Sequence, residues 1–346
     1  KRKAIKDLLV YTQGIHEEFV ASRMHIAYYY ILNEFAWGRI KKLIVSMPPQ
    51  HGKSSGSSRM LPSFMLGINP DLSILIGGYS AGHTADFGRD VDNIIDSQEY
   101  NDVFPDTRLA GSRFLSFEEK IESGKKVRRS VLKEIVGHRG SLRLSGRQTP
   151  LTGKKIDVSI LDDVYRDAME ANSPTIRESA WEWYTKVVRA RLHNDSQELI
   201  VFTRWHEDDL IGRLERKGKN SKADYDIAEP VVEIKSIEDI KDLPPNAWVK
   251  INFQALKEGK PTPLDPREEG EALWESRHSR KKLMADRALD EKAFSCLYQG
   301  EPDSQEGRLY QPFSTWRDPS EFGVFEGKGS YTDVADSGND YLATFF

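Results

Sequence analysis

An α/β fold with a mainly parallel sheet is what this sequence predicts, and three observations carry that prediction. Apolar, strand-like runs alternate with helix-like segments from about residue 42 to residue 203. Residues 44–54, Ile-Val-Ser-Met-Pro-Pro-Gln-His-Gly-Lys-Ser, carry a short apolar run into a loop ending Gly52-Lys53-Ser54, and a segment able to start a helix follows. Residues 156–163, Ile-Asp-Val-Ser-Ile-Leu-Asp-Asp, form a second aliphatic run that ends in two adjacent carboxylates.

The elements follow in order. Residues 15–37 read as a helix, because Phe19, Ile26, Tyr30 and Phe35 recur at roughly helical spacing. The strand and loop of 44–54 come next, then a helix that Pro62 should kink or shorten, closed by Asn69-Pro70. Residues 72–76 are a buried strand, and 81–97 supply the helix after it, ending near Tyr100. The charged stretch 118–130 reads as a loop, with short strands at 131–136 and 141–145. Behind the acidic strand, Ser173 caps and Pro174 opens a helix to about His193, with Ile176, Ala180, Trp183, Val187 and Leu192 near one face. Residues 198–203 are the next strand. Beyond 217 the chain turns polar and rich in Pro and Gly, which puts a boundary near 218–225. The expected division is 1–217 as the core, 218–325 as a smaller linker subdomain and connection, and 326–346 as the beginning of a further domain.

Composition bounds the functional classes. With 346 residues and 38% hydrophobics the chain can build a core. No apolar run approaches the ~18–20 residues of a membrane-spanning helix. Lys1, Arg2 and Lys3 lead into an amphipathic segment, not the continuous apolar core of a signal peptide. The single Cys296 excludes an intrachain disulfide framework and fits a reducing cytosol. A formal charge of −4 argues against a uniformly basic nucleic-acid coat, yet 50 Lys and Arg are available for a local basic channel.

The two motifs fit one chemistry. Backbone N–H groups at a helix N-terminus face a phosphate, a lysine reaches the β- and γ-phosphates, and a hydroxyl ligates Mg²⁺. In this loop those parts are Gln50, His51, Gly52, Lys53, Ser54 and Ser55, with Met47 standing where the usual first glycine of G-x-x-x-x-G-K-[ST] would be. A parallel acidic strand ending beside the loop would place Asp162 at the metal and Asp163 as the base that polarises water. Alone, Asp162-Asp163 reads as a polar turn; with Lys53 and Ser54 it reads as the second half of an ATP·Mg²⁺ site.

Three further clusters carry possible chemistry. Residues 137–153 combine glycines with Arg139, Arg143 and Arg147 in a loop able to present a guanidinium to a triphosphate, or in a hairpin with solvated arginines. Thr203-Arg-Trp-His-Glu-Asp-Asp209 follows a strand directly. His206, Glu207, Asp208 and Asp209 taken alone read as metal ligands, although Asp208 or Asp209 suits better as the cap of a helix at 209–217. Thr203, at the strand end, is placed to sense a γ-phosphate. Asp333, Asp336 and Asp340 lie on a carboxylate-bearing strand and turn, with spacing that suits Mg²⁺ or Mn²⁺ in two-metal phosphodiester chemistry or an ordinary polar turn.

These residues resemble the large terminase subunit of tailed bacteriophages, and the resemblance covers almost the whole chain. Met-Pro-Pro-Gln-His-Gly-Lys-Ser at 47–54 is similar to the family's divergent phosphate loop. Gly78-Tyr-Ser-Ala81, Phe87-Gly-Arg-Asp90 and Tyr100 to Pro105 resemble the segment after its second strand, and Leu151-Thr-Gly153 with Leu161-Asp-Asp163 resembles the loop and acidic strand. Thr203-Arg-Trp-His-Glu-Asp-Asp-Leu-Ile-Gly-Arg-Leu214 is the most specific stretch, close to the coupling motif. Phe294, Leu297-Tyr-Gln299, Pro302 and Glu306-Gly307 match the connection before the nuclease, and Asp333 to Asp340 resembles the first nuclease motif.

The resemblance implies a P-loop, RecA/ASCE-like ATPase domain, a small linker subdomain and the start of an RNase H-like nuclease. It implies ATP and Mg²⁺ as cofactors, with Mg²⁺ or Mn²⁺ at Asp333 and Asp340 in a full nuclease. Its partners would be double-stranded DNA, a small terminase subunit, a portal protein and a ring of identical subunits, commonly five, in the host-cell cytoplasm without a membrane. Lys53, Ser54, Asp162 and Asp163 carry over as ATPase residues, Thr203 as the coupling residue, and Arg147 or Arg139 as an arginine finger. Lys125, Lys126, Arg128 and Arg129 are candidates for gripping DNA phosphates, which is a salt-sensitive and sequence-independent contact. Asp163 departs from the family's usual Glu by one methylene. The chain given also ends at Phe346, just past the first nuclease carboxylates, so no complete nuclease centre and no endonuclease activity are expected of it. Two other classes remain open. A helicase-like P-loop enzyme would separate strands, and a non-catalytic nucleotide-binding module would bind without turnover.

Overall fold

Residues 42–46, Lys-Leu-Ile-Val-Ser, lie in the middle of the fold, where an unbroken apolar run is required because both faces of the strand are covered. The computed structural model describes residues 3–110, 120–122, 125–127, 131–147, 149, 151, 155–220, 229–244, 246–302, 331–333 and 343–345. In chain order the strands are β1 (Lys42–Ser46), β2 (Ser73–Gly78), β3 (Lys120–Glu122), β4 (Lys125–Val127), β5 (Val131–Glu134), β6 (Ser141–Gly146), β7 (Val158–Asp162), β8 (Gln197–Val201), β9 (Val231–Glu233), β10 (Trp248–Asn252), β11 (Tyr331–Asp333) and β12 (Ala343–Phe345).

Eight of them form one sheet in the order β5-β6-β2-β7-β8-β1-β10-β9. Every neighbouring pair is parallel except β5 with β6. Side chains alternate between the two faces with the period of a strand. Leu43 and Val45, Ile74 and Ile76, and Leu199 and Val201 face one core, while Ile44, Leu75 and Ile200 face the other. Each fully buried aliphatic of this kind contributes about 1.5–3 kcal/mol.

Helices cover both faces. On the first lie α1 (Leu8–Ile15), α2 (Arg23–Ala36), α3 (53–68), α4 (Ala81–Ile95) and α5 (Gln98–Val103). The second is covered by α7 (174–191) and α8 (Leu210–Asn220), with the short α6 (Ala168–Asn172) between the acidic strand and α7. The single helix expected over 15–37 is two. Helix α2 starts anew at Ser22, where the His25 ring accepts from the Ser22 N–H in a capping box.

Pro62 does not kink α3 at its own position. The turn before it, Gly56–Met60, is π-helical, and the Leu61 N–H reaches back to the Gly56 carbonyl. Proline lacks an N–H and crowds the carbonyl one turn back, and widening that preceding turn relieves the conflict. Helix α7 likewise passes from Pro174–Glu182 through a π turn, Trp183–Val188, into a 3₁₀ turn, Arg189–Arg191. Ser173 caps it as expected.

Two expectations are corrected. The stretch 118–130 is not simply a loop, since β3 and β4 pair there as an antiparallel hairpin. The core also does not close at 217: β9 and β10 lie beyond that point and join the central sheet beside β1, so the first compact unit extends to Asp303. After β10 the chain leaves the sheet and forms a satellite core of Ala255, Leu256, Leu283 and Phe294 with α9 (Arg280–Leu289) and α10 (Glu291–Leu297). The second unit is Ser304–Phe346. In it β11 pairs antiparallel with β12, placing Asp333 opposite Ala343, while Asp336 and Asp340 lie outside the described residues. Among the described residues, no helix is long and apolar enough to cross a membrane.

Candidate active site

The carboxyl ends of β1, β7 and β8 converge on one point, the position at which open α/β sheets bind ligands. Strand β8 separates the other two, so the loop after β1 and the carboxylates after β7 are not adjacent in the sheet. Side chains close the gap. The Lys53 ammonium donates to Asp163 Oδ2 at 2.8 Å. The Ser54 hydroxyl donates to Asp162 Oδ1 at 3.1 Å, and the Thr203 hydroxyl donates to the Met47 carbonyl at 3.2 Å. The sequence-predicted Lys53, Ser54, Asp162, Asp163 and Thr203 are therefore brought together.

The backbone here is held in unusual conformations. Gly52 has φ of 85°, a left-handed turn into α3 that a side chain would strain, and Gln50 and Asp163 adopt φ of 59° and 47° without being glycine. Each non-glycine residue in that region costs on the order of 1–3 kcal/mol and persists only where its surroundings impose it. Asp163 is pinned on both sides: its N–H donates to the Val201 carbonyl at 3.2 Å, and its own carbonyl accepts from the Tyr79 N–H at 2.9 Å. Its Oδ1 is buried without a partner among the described residues. That is an acceptor aimed into the site and left for a ligand or water.

Charge is concentrated accordingly. Burial opposes the Lys53 ammonium, but Asp163 and Asp162 outweigh it and hold the lysine above its ordinary value. Burial, and then the neighbouring Asp163 charge, push Asp162 well up from the usual carboxylate range, against the pull of Lys53, Ser58 and Ser54. A buried carboxylate beside a second one calls for a cation. Ser54 and Asp162 offer hard oxygen donors of the kind Mg²⁺ prefers, so the residues present fit that ion, and Lys53 with the N–H groups at the start of α3 fits an anion. The His206 to Asp209 stretch holds no such site, and no metal-binding cluster of three or more His, Cys, Asp or Glu occurs among the described residues. Asp209 instead caps α8, accepting from the Gly212 N–H at 2.9 Å, and pairs with the buried Arg204 at 2.7 Å. Asp208 pairs with Arg177 and Arg213.

The two arginines expected as fingers stand in different places. Arg147, at the carboxyl end of β6, is buried and donates to the Val164 carbonyl at 2.8 Å and to Glu170 at 3.3 Å, so it clamps the backbone just after the acidic pair. Arg139 precedes β6, and its N–H donates to Asp71 at the opposite end of the sheet. Within one chain it does not reach the Lys53 site. Of the grip candidates, Lys125 and Lys126 fall on β4, and Arg128 and Arg129 lie outside the described residues.

Tyr28, His25, Ser58, Trp274 and His278 had no signal strong enough to be singled out from sequence, and His51, expected in the loop, has contacts the sequence did not suggest. Tyr28 of α2 is fully buried, donates to the Lys53 carbonyl at 2.7 Å, and packs where a Cβ on Gly56 would come within 2.7 Å of its ring. His51, whose Nδ1 lies 2.8 Å from the Pro49 carbonyl, stacks on His278 with ring centroids 4.4 Å apart. His25 meets Trp274 edge-on at 4.6 Å, and its Nε2 lies 3.2 Å from where a Gly52 Cβ would be. The satellite segment thus packs directly under the loop. A cavity of about 590 Å³ lies between the start of α2 and the satellite segment, lined by Ser22, Arg23, Met24, Phe253, Arg267 and Trp274. Ser58, one turn beyond Ser54, also donates to Asp162, at 2.5 Å to Oδ2.

Comparison with known proteins gives the family. A family model described as "Terminase large subunit, T4likevirus-type, N-terminal" matches residues 44–311. Among solved structures, the large terminase ATPase domain of Thermus phage P74-26 is similar in two forms of its chain. One, a point mutant, has 18% identity and a TM-score of 0.41, and the unsubstituted form has 17% and 0.42. Each match covers 76% of this chain and 89% of the other. No curated protein matches significantly. The sheet is mainly parallel with helices on both faces, and the chain belongs to the T4-like large terminase family, which it matches through that family's N-terminal portion.

Proposed function

We propose that this chain is the ATP-hydrolysing part of a motor that moves double-stranded viral DNA into procapsids. The observation that carries the reading is the meeting of Lys53, Ser54, Asp162 and Asp163 at the carboxyl ends of β1 and β7, with Asp163 Oδ1 lacking a partner among the described residues. The triphosphate lies over residues 50–55, on N–H groups at the start of α3, and Lys53 turns from Asp163 to the phosphates. Bound Mg²⁺ supplies charge neutralisation on the phosphates, and Ser54 and Asp162 would hold it. Asp163 positions the attacking water and accepts its proton.

Thr203 ties the end of β8 to the phosphate loop, so a change at the phosphates is passed to the Arg204–Asp209 pair and to α8 behind it. Arg147 and Arg139 remain the proposed fingers. Arg139 would serve only across a subunit boundary, which suits a ring. DNA, the portal protein and a small terminase subunit are the proposed partners, and the carboxylates Asp333 and Asp340 are proposed as part of a nuclease motif.

ATP turnover measured with and without duplex DNA, beside Lys53→Ala, tests the reading. Turnover that duplex stimulates and Lys53→Ala abolishes is expected. Unwinding of duplex would favour a helicase instead. Nucleotide binding that is unchanged by Lys53→Ala would overturn the site.

A further inference from the structure

We propose that Ser58 is a positioning residue for Asp162, holding that carboxylate in register through a donor that does not depend on the metal. The inference rests on the ATP·Mg²⁺ reading of the site. Asp162 is fully buried at the end of β7, and two hydroxyls donate to it: Ser54 to Oδ1 at 3.1 Å and Ser58 to Oδ2 at 2.5 Å. Ser54 and Ser58 are four residues apart on α3 and so share a face. Ser58 is itself fully buried, and a hydroxyl is costly to bury unless it is bonded.

The two hydroxyls differ in what they do next. Ser54 sits at the first turn of α3 beside the phosphates, and its oxygen is the one that would ligate Mg²⁺. A hydroxyl that ligates through a lone pair keeps its proton, so Ser54 serves the metal and Asp162 at once and its bond to Oδ1 is tied to the metal's position. Ser58 lies one turn deeper, in the π-helical turn Gly56–Met60, where its hydroxyl also meets that of Ser57 at 3.2 Å. Its bond to Oδ2 leaves Oδ1 free for the metal side. Asp162 would then keep one donor, on Oδ2, that is fixed whether or not metal is bound.

The turn that carries Ser58 is itself anchored. The Lys53 carbonyl accepts from the Tyr28 hydroxyl at 2.7 Å and from the Ser57 hydroxyl at 2.9 Å. Helix α2 therefore fixes the wide turn, and the wide turn fixes Ser58 against the acidic strand. Partners that orient a metal-binding carboxylate typically account for a 10–100-fold effect on metal affinity.

The test compares binding of a fluorescent ATP analogue to the full chain in excess Mg²⁺ and in excess EDTA, for wild type, Ser58→Ala, Ser58→Thr and Lys53→Ala. Mn²⁺ affinity of each nucleotide-bound protein is read by electron paramagnetic resonance. Ser58→Ala is expected to weaken Mg²⁺-dependent binding and Mn²⁺ affinity by about 10-fold or more while leaving binding in EDTA unchanged. Ser58→Thr, which keeps the hydroxyl, should restore both. If Ser58→Ala does not fold, Ser58→Cys provides the comparison, because a thiol fills the site but donates weakly, and it should show the same metal-selective loss. A Ser58→Ala protein that binds like wild type, or that loses equally with and without metal, overturns the proposal. Lys53→Ala separates the two readings: if it too binds normally, the nucleotide site is wrong, and if it alone is impaired, only the role of Ser58 is wrong.

Discussion

The two ends of the central sheet are built from the same kinds of residue and handle charge in opposite ways. At the amino ends of β1, β8 and β10, Lys42, Arg189 and Glu229 neutralise one another, with Lys42 to Glu229 at 2.7 Å and Arg189 to Glu229 at 2.6 Å. Glu198 in the same region accepts from the Tyr184 hydroxyl at 2.7 Å, and Trp248 Nε1 approaches Glu229 at 3.4 Å. At the carboxyl ends, two carboxylates stand side by side against one lysine, two non-glycine residues are left-handed, and Asp163 Oδ1 has no partner among the described residues. The first end is a closed structural network. The second carries strain and an open acceptor, which is what a site that must bind an anion and a cation needs.

The largest way to break this contrast is Asp163→Asn. The side chain keeps its size but loses its basicity. ATP turnover is expected to fall by about 10²–10⁴-fold, the usual contribution of a positioned base. Nucleotide binding should survive. Unfolding in urea should shift little, because relief of the repulsion with Asp162 offsets the lost ion pair with Lys53. Full turnover by the Asp163→Asn protein would show that the carboxyl end, too, is only structural.

Tyr184→Phe probes the opposite end with a smaller effect. Glu198 is buried, and burial already pushes its carboxyl up from the usual range while Arg189 pulls it back. Without the tyrosine hydroxyl the carboxylate loses a donor, a cost of about 1–3 kcal/mol in unfolding free energy. ATP turnover per folded molecule should be unchanged. Loss of turnover at full stability would mean that the two ends communicate through β8.

How much of this was legible in the sequence follows from the same contrast. The loop 47–54 and the carboxylates 162–163 could be read because each motif is local, and their convergence was inferred from the parallel alternation of strands and helices. Ser58 was visible as an i, i+4 partner of Ser54 but hidden in a run of serines, Ser54-Ser-Gly-Ser-Ser58, with no way to know which one faces β7. The stacking of His51 on His278 pairs residues far apart in the chain, so no local pattern points to it. The boundary near 218–225 was misplaced for a related reason. Strand β9 is three residues long at the sheet edge, and β10, Trp-Val-Lys-Ile-Asn, follows a polar stretch, so neither reads as core until paired with β1. Arg139 and Arg147 lie in one glycine-rich stretch of sequence but at opposite ends of β6. A strand of ordinary length is enough to move a candidate away from the chemistry.

The smallest effect distinguishes the two ends by pH. Burial lowers His51 from its ordinary value to about 4, helped by the nearby His278, His25 and Arg267, while its bond to the Pro49 carbonyl opposes the shift. His25 is likewise lowered to about 4 by burial. The unfolded chain takes up these protons near pH 6.5 and the folded chain does not, so the contribution is fully present above about pH 6.5 and is lost as pH falls toward 4. Each such histidine tilts stability by at most about 1.4 kcal/mol per pH unit in that window. Asp162 and Glu198, both raised by burial, tilt it the other way, since the folded protein binds their protons more readily. The net slope of wild type therefore mixes the two ends, and a difference isolates one. His51→Asn removes a titrating group at the phosphate loop and leaves Glu198 and Tyr184 in place. Urea unfolding at pH 7, 6 and 5 should show the variant losing less stability on acidification than wild type, whereas Tyr184→Phe should keep the histidine slope. Identical slopes for wild type and His51→Asn would mean that His51 takes up its proton as readily in the fold as in the unfolded chain, and that the loop is wetter than its packing against His278 and Trp274 requires.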